Sequence, residues 1–162
     1  MVMVHRAALV AVVALLAFPA HAEIVGKARV IDGDTLEIAG QRIRLHGIDA
    51  PESEQTCWAG TTEWACGREA TFALAYEMGM HWVTCRAKGG DGGGEAEAEA
   101  AYVCTVGHRD LGARMVGAGW ALAVGGDAAA YAGEETAART ARKGLWRGEF
   151  VLPWEWRKAR TR

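Results

Sequence analysis

The stretch from Ile24 to His46 constrains this chain most, because it alternates apolar and polar residues and is broken twice by turn residues. Residues 24–31 read as a strand. Asp32-Gly33 is a tight-turn dipeptide, Thr35 to Ile38 resumes as a strand, Ala39-Gly40 turns again, and Arg42 to His46 forms a third strand. A period of two puts Ile43 and Leu45 on one face of that third strand and Arg42, Arg44 and His46 on the other. One meander thus offers an apolar side to a core and a basic side to something else.

The rest of the chain supplies what such a meander packs against. Gly67 to Gly79 has Ala70, Ala73 and Leu74 at helical spacing. His81 to Arg86 and Ala100 to Val106 read as strands. Between them, Lys88 to Glu99 is a glycine run followed by alternating Glu-Ala, whose glycine half reads as a flexible loop. Asp110 caps a short helix through Ala118 with Leu111 and Met115 four apart, and Asp127 caps another running to Lys143. Gly144 stands where a left-handed C-terminal residue belongs. The tail from Leu145 to Arg157 is dense in aromatics, which at that density dock on a core. The order of strands, helix, strands and helices, with no internal repeat, predicts one α+β domain: a small β-barrel with helices packed outside.

The first 22 residues stand outside that domain. A short head with His5 and Arg6 precedes an unbroken apolar run, Ala7 to Phe18, and then Pro19-Ala20-His21-Ala22. These are the three parts of a secretory signal peptide, with cleavage expected after Ala22 and a mature domain over 23–162. The run is too short to span a bilayer. Export leads to the periplasm or the outside of the cell, where disulfides persist. Four cysteines, Cys57, Cys66, Cys85 and Cys104, allow three pairings. The favoured one joins Cys57 to Cys66, stapling a loop, and Cys85 to Cys104, tying two strands. No Cys-x-x-Cys occurs, which argues against zinc and thioredoxin-like chemistry.

Charge narrows the functional classes. With 18 Lys and Arg against 20 Asp and Glu, the chain carries −2, so bulk positive charge cannot be its grip on nucleic acid. With 51% apolar residues it is no disordered chain. Chemistry concentrates instead in two segments, Asp32-Gly33-Asp34-Thr35 and Gly47-Ile48-Asp49-Ala50-Pro51-Glu52, with Arg44 between them. Ala50 precedes proline and is pushed away from helical geometry, leaving Asp49 and Glu52 on an exposed turn. Asp34 and Asp49, brought together by neighbouring strands, give a hard divalent cation two of the oxygens it wants. The Arg44 fork suits phosphate oxygens, and Glu52 is placed to orient a water. Together these describe a metal-assisted phosphodiesterase.

Val30-Ile31-Asp32-Gly33-Asp34-Thr35, then Arg44-Leu45, then Gly47-Ile48-Asp49-Ala50-Pro51-Glu52 resembles the staphylococcal nuclease family. Gly119-Trp120-Ala121, Ala138-Arg139, Gly144-Leu145-Trp146, Phe150, Pro153 and Trp156-Arg157 resemble its exported bacterial members. The resemblance implies an OB-fold, a five-stranded barrel with about three helices, and calcium-dependent hydrolysis of DNA or RNA by a monomer. It implies that Asp34, Asp49 and the Ala50 carbonyl ligate Ca2+, with Asp32 a neighbouring acid near the metal. It further implies that Glu52 positions or deprotonates the attacking water and that Arg44 holds the phosphate. The family's second catalytic arginine, after a Tyr-Gly pair, has no counterpart here; its position falls on Glu99, or on Ala100 in the adjacent register. Arg86 and Arg109 are the nearest alternatives in sequence. The basic-aromatic stretch expected after Trp120 is also replaced, by Ala123-Val124-Gly125-Gly126-Asp127. The expectation is therefore an exported calcium-dependent nuclease slowed by the lost arginine. The alternative is an inactive OB-fold module that binds nucleic acid or a protein partner.

Overall fold

The computed structural model describes residues 23–88, 101–125 and 128–161. The signal-peptide expectation, the glycine-rich stretch with Glu99 and Ala100, and the proposed cap Asp127 lie outside the described residues.

In chain order the strands are β1 (Glu23–Gly26), β2 (Ala28–Val30), β3 (Thr35–Ile38), β4 (Gln41–Leu45), β5 (Ile48–Asp49), β6 (Cys57–Ala59), β7 (Thr62–Trp64), β8 (Val83–Ala87), β9 (Ala101–Val106), β10 (Arg109–Asp110) and β11 (Leu122–Ala123). The α-helices are α1 (Cys66–Met78), α2 (Leu111–Gly117), α3 (Ala132–Thr140) and α4 (Pro153–Arg160). The main sheet runs β1-β8-β9-β4-β3-β2, with β4 and β9 parallel and the other neighbours antiparallel. Its two outer strands, β1 and β2, are separated in the chain by Lys27 alone. One bent run therefore forms both outer strands, and counted as one it gives the five strands of an OB-fold barrel.

The single strand expected over 24–31 is thus two. Lys27 breaks the run because β1 pairs with β8 while β2 pairs with β3. Ala39 and Gly40, with φ of 51° and 81°, make the left-handed pair that the β3–β4 hairpin requires. Gly33 acts differently from the expected turn glycine. A Cβ there would meet the Cβ atoms of Ala50 and Ala70 at 2.7 and 2.9 Å, so its role is close packing between the Asp49 turn and α1.

The barrel is filled by Leu36, Ile38, Ile43, Leu45, Val83, Cys85, Cys104 and Val106, closed by Leu74 and Met78 of α1 and Leu111, Met115 and Val116 of α2. Burying an aliphatic side chain of this size contributes roughly 1.5–3 kcal/mol. Asp110 caps α2 as expected, its carboxylate accepting the Ala113 amide at 3.1 Å. Glu77 of α1 takes a two-pronged bond from Arg114 of α2, both contacts 2.9 Å, which locks the two helices side by side. The helix expected from Asp127 begins later, at Ala132, after a 3-10 turn over Ala128–Tyr131. Gly144 has a left-handed backbone, φ 51°, but α3 ends at Thr140 rather than Lys143, Arg142 with φ 50° is the left-handed residue just past it, and Gly144 opens the next 3-10 turn.

Both favoured disulfides are present. Cys85 and Cys104 are directly paired across β8 and β9, and Cys57–Cys66 joins β6 to the first turn of α1. Cys57, Cys66 and Leu145 form a second, smaller core with Trp64 and Phe150 against it. Phe150 docks there and meets Trp146 edge-on at 5.2 Å, and Arg147 lies 3.7 Å over the Trp64 ring, whereas Trp154 of the expected docking tail stays exposed. The expected three helices are joined by a fourth, α4, whose residues carry no helical apolar stripe; within it only Pro153 is buried.

Candidate nuclease-type site

Asp34 is placed by backbone before its side chain contributes anything. Its carbonyl accepts the Leu45 amide at 2.8 Å, which ties the end of the Asp32–Asp34 turn to β4. Thr35 is in register with Arg44, so the Arg44 side chain, on the outward face of β4, rises beside that turn. Asp49 comes from the other side. It lies in β5, pinned by pairing with Leu122 of β11. The Ala50 amide then reaches back 3.0 Å to Asp34 Oδ2. The pre-proline position of Ala50 keeps it extended, and its N–H, unlike that of Pro51, is available to make this bond.

One guanidinium bridges the two acids. Arg44 Nη2 is 3.7 Å from Asp34 Oδ2 and 3.3 Å from Asp49 Oδ1. Asp34 also accepts the Thr35 hydroxyl at 2.7 Å. Both carboxylates are buried, 5% and 4% exposed, while the Arg44 side chain is 37% exposed at the rim. Burial, with the neighbouring charge of Asp32 second, pushes the Asp34 carboxyl up to about 7, against a smaller pull downward from Arg44 and the two hydrogen bonds. Asp32 stands next to this pair rather than within it: Oδ1 accepts the Asp34 amide at 3.1 Å, and Oδ2 faces Arg42 at 3.9 Å.

Glu52 joins the cluster through a residue to which the sequence reading gave no role. Arg157, on α4, donates from Nη1 to Glu52 Oε1 at 2.7 Å and to Asp49 Oδ1 at 2.9 Å, and from Nη2 to Asp49 Oδ2 at 2.7 Å. The bonds from Asp49, with Glu52 adding to them, hold the Arg157 guanidinium charged well beyond ordinary arginine. The local signal for this residue was the Pro153-Trp154-Glu155-Trp156-Arg157 segment. Proline at the first helical position starts a turn, and Trp154 and Arg157 then fall three apart on one face. The two arginines considered as alternatives are engaged elsewhere: Arg86 pairs with Glu23 at 2.7 Å, and Arg109 approaches Glu77 at 3.9 Å.

Among the described residues, no group of three or more His, Cys, Asp or Glu side chains is spaced to hold a metal ion. The donor set here is smaller, two carboxylates beside the Ala50 backbone, yet its chemistry fits a hard cation that fills its remaining positions with water and ligand oxygens. Asp34 is buried, hydrogen-bonded through its amide to Asp32, and 3.7 Å from the Arg44 guanidinium, and a carboxylate so placed favours added positive charge.

An OB-fold barrel with paired buried aspartates and an arginine at its rim defines a protein of the nuclease or nucleic-acid-binding kind. Residues 42–148, more than half of the chain, match the family described as staphylococcal nuclease homologue, and the chain belongs to that family. Over 52 residues it is 50% identical to the succinoglycan biosynthesis protein ExoI of Rhizobium meliloti (strain 1021). That match covers 32% of this chain and 27% of the relative, so it spans little more than a quarter of that protein. Asp32, Asp34 and α4 lie outside the matched family segment.

Proposed function

We propose that the mature domain, 23–162, is an exported, calcium-dependent nuclease that hydrolyses phosphodiester bonds of DNA or RNA. The observation that carries this reading is the meeting of Asp34 and Asp49 on one nitrogen of Arg44. Family membership supports the reaction class. The two disulfides support an oxidising compartment. No helix among the described residues is long and apolar enough to cross a membrane.

The chain's own groups divide the work. Asp34, Asp49 and the Ala50 carbonyl are the oxygens that would hold calcium, with Asp32 a neighbouring acid that sharpens the local negative potential. Arg44 offers guanidinium N–H groups to the non-bridging oxygens of the phosphate and offsets the charge that grows there. Glu52 orients the attacking water and accepts its proton. Calcium, when bound, withdraws charge from the phosphoryl oxygens.

Purified protein should cleave single-stranded DNA with calcium and stop when chelator is added. Asp34→Ala should abolish both calcium binding, read by titration calorimetry, and cleavage. Retained calcium affinity in that variant removes Asp34 from the ligand set. A second reading has one observation in its favour: Asp49 and Glu52 are already paired with Arg157. On that reading the domain is a non-catalytic OB-fold module. Absence of any chelator-sensitive cleavage, in preparations able to reveal a nuclease impaired about 10⁵-fold, would select it.

A further inference from the structure

We propose that α4 is the polynucleotide-facing half of the site, with Arg157 as a second phosphate-contacting guanidinium and Trp154 as a stacking wall for the adjacent base. The substrate class rests on the nuclease reading above; the placement rests on geometry alone.

Arg157 and Arg44 converge. Arg157 Nη1 and Arg44 Nη2 are both bonded to Asp49 Oδ1, at 2.9 and 3.3 Å, so the two nitrogens are no further apart than the sum of those distances. That spacing lets one phosphate group be gripped by both forks. Three hydrogen bonds engage Arg157, and a guanidinium has five N–H groups, so donors remain for a ligand. Its side chain is 34% exposed, close to the exposure of Arg44.

Two cavities beside Asp49 and Arg44 share lining residues. A space of about 470 Å³ is lined by Asp49, Ala123, Val124, Gly125 and Trp154. A second, of about 270 Å³, is lined by Arg44, His46 and Gly47 and shares Val124 and Gly125 with the first. Trp154 is one helical turn from Arg157 and 37% exposed, so an aromatic face borders the cavity next to the phosphate-facing fork. Base stacking on such a face is insensitive to sequence.

Arg157 engages both oxygens of Asp49, so this guanidinium and a cation held at Asp49 would share one carboxylate, with Glu52 as the second anchor of Arg157.

The test uses the full chain and four variants, Arg157→Ala, Arg157→Lys, Trp154→Ala and Arg160→Ala, each checked for folding by circular dichroism. Calcium alone and a single-stranded oligothymidylate are titrated by calorimetry, and cleavage is followed with calcium present. Arg157→Ala should lower kcat by about 10³-fold or more. It should weaken oligothymidylate binding and leave calcium affinity equal or higher, because a competing cation has gone. Arg157→Lys keeps the ion pair but not the fork, and should fold normally while recovering little of the rate. Trp154→Ala should weaken oligothymidylate binding about tenfold with kcat nearly unchanged. Arg160→Ala, whose guanidinium pairs with exposed Glu54 and lies over the Trp156 ring, away from Asp49, should match the parent protein. Wild-type rates and binding in folded Arg157→Ala, or full rescue by lysine, would overturn the proposal while the nuclease reading stands. Oligothymidylate binding that depends on Arg157 and Trp154 in a parent protein that never cleaves would do the reverse. A parent protein that neither binds nor cleaves overturns both.

Discussion

Asp34 makes the stability of the calcium-free domain depend on pH in an unusual direction. Its carboxyl titrates near 7 in the folded chain, chiefly through burial, against an ordinary 3.8. Between those values the folded state holds a proton that the unfolded state has released. The stability from this group is therefore complete below about pH 3.8 and is lost as pH rises through 7, with a slope of at most about 1.4 kcal/mol per unit. Urea denaturation in chelator should give a smaller unfolding free energy at pH 8 than at pH 6, and Asp34→Asn should flatten the difference. A profile identical in the two proteins would mean that the carboxyl titrates in the usual range. One glycine acts at the same scale. Gly67 sits so close to the Glu52 carbonyl that a Cβ there would overlap it, and its amide donates to Gln55 at 3.0 Å. Gly67→Ala should cost about 1–3 kcal/mol and displace Glu52, so that thermal stability and cleavage fall together. Arg44 was legible from its strand's period of two, because neighbouring residues in one extended segment decide which way a side chain points. Arg157 was not, because its bond to Glu52 joins residues 105 apart, and the Pro153–Arg157 segment marks a helix start without recording that partner.

At the scale of elements, the Glu52 turn depends on what lies around it. The Cys57–Cys66 bridge ties the strand that follows the turn to the start of α1, and Gln55, wholly buried, donates to the Val151 carbonyl at 2.7 Å. The turn is thereby held between α1 and the chain segment that leads into α4. Replacing both Cys57 and Cys66 by serine should lower stability by about 2–3 kcal/mol in denaturant melts. It should also reduce cleavage beyond what the lost stability explains, since Glu52 and α4 lose a shared anchor; activity unchanged well below the melting temperature would argue that the bridge serves stability alone. Helix legibility divides along the same line. α1 and α2 were visible because they bury Leu74, Met78, Leu111 and Met115 at helical spacing. α4 was not, because it rests on the site's charges rather than on a core and needs no apolar stripe.

The whole molecule is a barrel whose closure depends on one bend. Because β1 and β2 are separated only by Lys27, the first strand serves both edges, and this is why a continuous apolar-polar run gave no sign of the break. The core that closure creates is shared by both halves of the chain. Leu36→Ala, which empties a fully buried position facing that core, should lower the unfolding free energy by about 2–5 kcal/mol in one cooperative transition. A separate early transition, resolved by following tryptophan fluorescence alongside circular dichroism, would show instead that the smaller core around Leu145 unfolds on its own. The barrel itself was readable from the order of its strand patterns, whereas the convergence at its rim required three segments distant in the chain. That distance has a consequence for biogenesis. A ribosome delivers Asp34, Arg44, Asp49 and Glu52 a hundred residues before Arg157. Throughout that interval Arg44 is the one guanidinium delivered that the finished fold sets against Asp34 and Asp49, Arg42 facing Asp32 instead. Only the arrival of the last helix supplies the second.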